Sequence, residues 1–227
     1  MKLKILAQSK DYLVIHKPSG FVTYADSRQQ EAISAKFHLE HQTKRKLFPV
    51  HRIDKDTCGV LAFAANPEAA KTLTALFKGR TVKKAYVAVV HGEAPLKGVI
   101  NEPLARNKEK VTEPAETEFT RLGLVNVEWD GEARSYSLVR CDPRTGRYHQ
   151  IRRHLAGLSL PLVGDQRHGD KKLNRLFREH TGKDGLLLRC VEMRFHHPRG
   201  GEPLRFRARW PGAWHAIFDR SGFCPLA

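Results

Sequence analysis

The chain of 227 residues has only four cysteines, at positions 58, 141, 190 and 224, and no two stand in C-x-x-C spacing. Zinc ribbons and thioredoxin-like motifs need that spacing and are excluded. No apolar run comes near the roughly 18 residues of a membrane span. The opening MKLKILAQSKDYLVIHKP starts basic, but its apolar stretches are too short for the core of a signal peptide. Reduced thiols, a cytoplasmic location and no membrane attachment are expected. Regular βαβ alternation is missing too, which disfavours a doubly wound parallel sheet. So are internal repeats, low-complexity segments and Gly-rich nucleotide loops.

Acid is also scarce. Against 40 Lys+Arg there are 24 Asp+Glu, a formal charge of +16. The excess is uneven: residues 1–101 carry 17 basic and 8 acidic side chains, residues 102–132 carry 4 and 8, and residues 133–209 carry 18 and 7. Fifteen of the last 18 are arginine, whose planar fork suits phosphate oxygens and stacks on bases. A polyanion, most simply nucleic acid, fits such a surface; the plainer alternative is a generically basic soluble protein. The hydrophobic share of 41% is ordinary for a globular chain, and the length suits one large domain or one with a small appendage.

Local patterns place the elements. DYLVIH (11–16) is a short apolar run stopped by Lys17-Pro18-Ser19-Gly20, a strand and a turn. Residues 29–42 predict a helix. Phe48–Ile53 and Gly59–Ala65 predict strands or strand ends around a polar break. Asn66-Pro67-Glu68 opens a helix that Gly79 closes, with Ala69, Ala70, Leu73, Leu76 and Phe77 on one face. Val82–His91 is β-branched and aromatic, a strand. Residues 115–129 and Ala133–Cys141 flank the turn signal Asp130-Gly131 and predict a hairpin. DPRTG (142–146) is a turn, Arg147–Leu155 a short helix, 164–178 a loop and a basic helix, and Gly185–Phe195 with Pro203–Trp210 a second hairpin. The expected class is α+β: a mixed, mainly antiparallel sheet with flanking helices.

Four segments concentrate chemistry. In FPVHRIDKDTCGVLAFA (48–64), Asp54 and Asp56 stand beside His51 and Arg52 between apolar runs. Charge in that setting costs free energy unless it is paired or used. If the stretch is extended, Arg52, Asp54 and Asp56 share a face. A nearby guanidinium would keep Asp54 ionised, the state a nucleophile needs; a solvated strand end with local ion pairs is the bland alternative. DPRTGRYHQIRRHL (142–155) feeds a turn into a helix start laden with Arg147, His149, Gln150, Arg152 and Arg153. That is either a phosphate site or an exposed basic face. His149 and His154 would lie about 140° apart on a helix, the wrong spacing for a metal pair. Tyr86, in KKAYVAVVHG (83–92), is either packing or chemistry, and GDQRHGDKKLNRLFR (164–178) either a ligand-approached turn or a connector.

Together these motifs resemble the RluA-type pseudouridine synthases. His51-Arg52-Ile53-Asp54 through Leu61 is similar to that family's HRLD-x-x-TSG-L-L signature, with Cys58 where Ser is usual. Asp11–Gly20 resembles its N-K-P-x-G opening, Lys84-Ala85-Tyr86 its K-x-Y, Gly146–His154 its G-R-x-H-Q-I-R-x-H, Leu162–Gly169 its P-x-x-G-D loop, and Leu187–Pro198 its late strand ending in HP. Residues 147–155 with 164–175 resemble the TruC branch, which modifies uridine 65 in the acceptor/T-stem region of tRNA; Tyr148 departs from the more usual Thr, Lys or Arg.

The resemblance implies a single catalytic domain with a central cleft and no S4 module. It implies isomerisation of uridine to pseudouridine by a monomer without metal or other cofactor. It makes Asp54 the essential carboxylate, acting on the sugar, on the base, or in abstraction at the ribose. Tyr86 would lie against the uracil as a base for the C5 proton. Arg152 would pair with Asp54, and Arg52 would fill the gap left by a flipped nucleotide. His51, Arg147, His149, Gln150 and Arg153 would contact RNA. Ribosomal RNA as substrate, or a non-catalytic RNA-binding or ribosome-assembly role on the same fold, are the alternatives.

Overall fold

Two short apolar runs separated by the polar stretch Ser9–Asp11 make β1 (Lys4–Gln8) and β2 (Tyr12–Lys17), an antiparallel pair. The structure is a computed structural model and describes residues 2–106, 111–201, 203–209 and 214. A 3-10 segment, Arg28–Ile33, precedes α1 (Ala35–Thr43). The single helix expected over 29–42 is thus broken. Ser34 sits in extended backbone and its side chain accepts from the Phe37 N–H, so it caps a new helix instead of continuing the old one. β3 is only Phe48–Pro49 and β4 is Cys58–Ala64. The strand expected to Ile53 stops where proline withholds a ladder donor. α2 (Pro67–Lys78) has the expected caps, with Asn66 Oδ1 accepting from the Ala69 N–H and Gly79 at the far end.

β5 (Lys83–His91) is followed by short β6 (Lys97–Ile100), β7 (Leu104–Ala105) and β8 (Thr112–Glu113). β9 (Thr117–Trp129) and β10 (Glu132–Pro143) form the long expected hairpin, with Trp129 opposite Glu132. Asp130 (φ 54°) and Gly131 (φ 75°) are both left-handed, the type I′ geometry that matches strand twist. α3 is Gln150–Gly157, starting three residues later than expected, because His149 (φ 52°) is left-handed and cannot be part of the helix. α4 (Lys171–Thr181) is capped by Asp170. β11 (Leu188–His196) and β12 (Pro203–Arg207) are the second hairpin; Trp210, expected in it, lies outside the described residues.

The elements fall into two compact units. One is built from the chain up to Lys84 together with Arg189–Ala208, the other chiefly from Ala85–Leu188. In the first, the strand order is β1-β2-β4-β11-β12, with β3 added to β4; all pairs are antiparallel except β4 with β11. Its core joins Leu13, Ile15, Leu61 and Phe63 of the sheet to Ala35 and Leu39 of α1, and Ile53 is part of it. In the second the order is β5-β10-β9-β6, antiparallel throughout. The result is the mixed, mainly antiparallel α+β fold expected. Among the described residues, no helix is long and apolar enough to cross a membrane.

Candidate active site

Residues 50–57 of the first unit are a loop, not a strand, so the shared face expected for Arg52, Asp54 and Asp56 does not come from extended alternation. The loop is shaped by its neighbours. Ile53 is buried and anchors it from below, while Arg52 is exposed and Asp54 half-buried on either side. The Thr57 N–H donates to the Asp54 carbonyl at 3.2 Å and closes a turn. Gly59 follows with φ 113°, and a Cβ there would lie 2.1 Å from the Cys190 carbonyl oxygen. The close approach of β4 to β11 therefore requires glycine just past Asp54.

Two side chains clamp the loop. The His51 ring stacks on Phe77 at 4.3 Å, and its Nε2 accepts the Ala62 N–H at 3.0 Å. Burial first, then the Lys84 charge, pushes this imidazole down to about 3. This placement makes His51 a support of the loop; the RNA contact expected of it is not what the ring is arranged for. The second clamp, Lys17, escapes the sequence reading. It is wholly buried, and its ammonium donates to the carbonyls of Pro18 (2.9 Å), Phe21 (2.6 Å) and Lys55 (2.8 Å). Burial pulls it down to about 8, against Cys58, Asp56 and Asp54. The turn it holds also grips the loop directly: Gly20 N–H donates to Lys55 O and Ser19 Oγ to Asp56 O. A lysine at the end of an apolar strand, just before Pro-Ser-Gly, is the signal that could have found it. Cys58 packs beside Arg189 and Lys17, and burial raises its thiol, so it stays protonated.

Tyr86 and the other expected residues belong to the second unit. Tyr86 is buried on β5, opposite Cys141 of β10. Arg152, on α3, is buried, and its Nε and Nη2 each donate at 2.7 Å to Asp165, a carboxylate not foreseen as its partner. Its Nη1 meets His149 Nε2 at 3.0 Å. Burial alone would raise the Asp165 carboxyl. The Arg152 fork and the backbone N–H groups of His168 and Arg167 outweigh that and hold it below the usual carboxylate range.

His149 sits in strained left-handed backbone. Its ring stacks on Tyr148 at 3.8 Å, and its Nδ1 meets His168 Nε2 at 2.8 Å. Burial, then Arg152, His168 and Arg167, push it down to about 3. Gln150 is buried. Its oxygen accepts from Thr145 Oγ1 and the Arg147 N–H, and its amide donates to Glu116 O and Thr117 Oγ1. With all four positions used inside the unit, Gln150 braces the helix start and is not arranged to reach RNA. Arg147 donates to Glu113 and Pro114 O, and Arg153 to Ala105 O.

The motif order agrees with comparison to known proteins. Residues 11–157 match the family described as RNA pseudouridylate synthase. The chain belongs to that family. It is therefore an isomerase that turns uridine in RNA into pseudouridine, of the RluA type its motifs resemble. A protein of Vibrio vulnificus named tRNA pseudouridine synthase C is 33% identical over 234 residues, covering 96% of this chain and 95% of its own. One of Haemophilus ducreyi with the same name is 32% identical over 236 residues, 98% of this chain and 97% of its own. Among solved structures, human RNA pseudouridylate synthase domain containing 1 superposes with a TM-score of 0.76 at 24% identity, over 92% of this chain and 84% of its own. Domain containing 4 gives 0.73 at 24%, over 96% and 92%. Those two likenesses concern the fold.

Proposed function

We propose that this isomerase acts on tRNA, converting uridine 65 in the acceptor/T-stem region, as a cytoplasmic monomer without metal or cofactor. The observation that carries the choice of tRNA is the near full-length likeness to proteins named tRNA pseudouridine synthase C. The reaction conserves every atom. The C1′–N1 bond breaks, the uracil turns, C1′ bonds to C5, and the hydrogen lost from C5 is balanced by one gained at N1. No oxidant or reductant enters.

Asp54 supplies the carboxylate the isomerisation needs, from a loop that Lys17, His51 and Ile53 hold in shape. The family resemblance assigns Arg152 as its partner; Asp165 and His149 hold three of the five guanidinium N–H groups of that side chain. Tyr86 lies against the uracil and is the base for the C5 proton. Extruding a nucleotide from a stem costs about a few kcal/mol, and the exposed Arg52 offsets part of it by filling the gap. The test is single-nucleotide mapping of pseudouridine in RNA from cells lacking this gene. The expected result is loss at position 65 of tRNA with ribosomal sites intact. Loss confined to ribosomal RNA would replace the substrate.

A further inference from the structure

Besides Asp165, Arg152 is held by a pair of imidazoles in series. Its Nη1 lies 3.0 Å from His149 Nε2, and His149 Nδ1 lies 2.8 Å from His168 Nε2. A guanidinium offers donors only. His149 Nε2 must therefore be the bare, accepting nitrogen. A neutral His149 then carries its proton on Nδ1 and donates it to His168, whose Nε2 must also be bare. The proton order is dictated outward from Arg152 to His168. The far end is anchored: the His168 backbone N–H donates to Asp165 Oδ1 at 2.9 Å, and its ring stands edge-on to His149 at 5.1 Å. One carboxylate thus grips Arg152 directly and also fixes the loop that carries His168.

We propose that His168 is a positioning residue for the isomerisation: by accepting from Nδ1 it selects the tautomer of His149, and through His149 it sets the orientation of Arg152. The inference rests on the assignment of Arg152 as the partner of Asp54. A proton added to either imidazole would set two N–H groups face to face, at Arg152–His149 or at His149–His168, and break the series. The groups facing His168 include Asp165, Arg152, Arg167 and Arg153; those facing His149 include Arg152, His168, Arg167 and Asp165. Burial is the largest cause, and with the neighbouring guanidiniums it lowers both rings against the pull of Asp165. The series is intact at neutral pH and fails as pH falls.

The test uses the full chain with a tRNA transcript, single-turnover kinetics from pH 5 to 8, and ¹⁵N NMR of the imidazoles. His168→Leu removes the acceptor. It is expected to lower kcat about 100-fold, the scale of a misplacement near 1 Å, with KM nearly unchanged and His149 shifted to the other tautomer. His168→Gln retains an accepting oxygen that does not titrate. It is expected to restore most of kcat and to move the acid limb to lower pH. Wild-type kcat and pH profile in His168→Leu would overturn the inference, as would equal losses in the Leu and Gln variants. A wild-type protein inactive on tRNA would instead overturn the assigned substrate. The NMR readout would still decide the tautomer.

Discussion

Gln150 carries the contrast between a residue's type and its use. Its place in an Arg- and His-rich helix start suggests an RNA contact, yet it is buried with four bonds inside its unit. Nothing in one sequence announces Thr145, Glu116 and Thr117 as its partners, because they are brought to it by the β9–β10 hairpin. Asp165 is hidden for the same reason: a carboxylate after Leu-Val-Gly is legible as costly to bury, but its pairing with Arg152, thirteen residues earlier, is a product of folding. Asp54, by contrast, stands out as a charge inside apolar surroundings. Gln150→Leu should cost about 2–4 kcal/mol in urea unfolding, since buried donors and acceptors left unpaired cost about 1–3 kcal/mol each. The affinity for tRNA, measured where the variant is folded, should stay within about twofold. Retained stability with a tenfold weaker affinity would restore the contact role.

At the scale of elements, signals that act within a few residues are legible. The Asn66 cap, Pro67 and Gly79 set α2 to the residue, and Asp130-Gly131 set the β9–β10 turn. Continuity is harder to read. The strand expected to Ile53 ends at Pro49, and the helix expected from Arg147 waits until Gln150, because the residues there take irregular or left-handed backbone. Glycine separates local from long-range demands. Gly131 (φ 75°) has open space around it, so Gly131→Ala should cost about 1–2 kcal/mol, the left-handed penalty alone. A Cβ on Gly164 (φ 78°) would lie 1.8 Å from the Gly185 carbonyl oxygen, so Gly164→Ala should exceed about 4 kcal/mol. Thermal melts of the two variants check this ordering, and equal shifts would contradict it.

For the whole molecule, composition foresees a polyanion partner and the order of elements an α+β class, and the ordered motifs foresee the family to which the chain belongs. The division into two compact units is not legible, since no linker marks it; the chain leaves the first unit at Lys84 and returns to it at Arg189. The expected machinery draws on both, with Asp54 in one and Tyr86 and Arg152 in the other. The most direct measurement is pseudouridine formation on a tRNA transcript by wild type and by Asp54→Ala, alongside their tRNA affinities. Conversion of one uridine by the wild type, none by the variant, and affinities within a few-fold of each other are predicted. Conversion by Asp54→Ala at the wild-type rate would contradict the role given to that carboxylate.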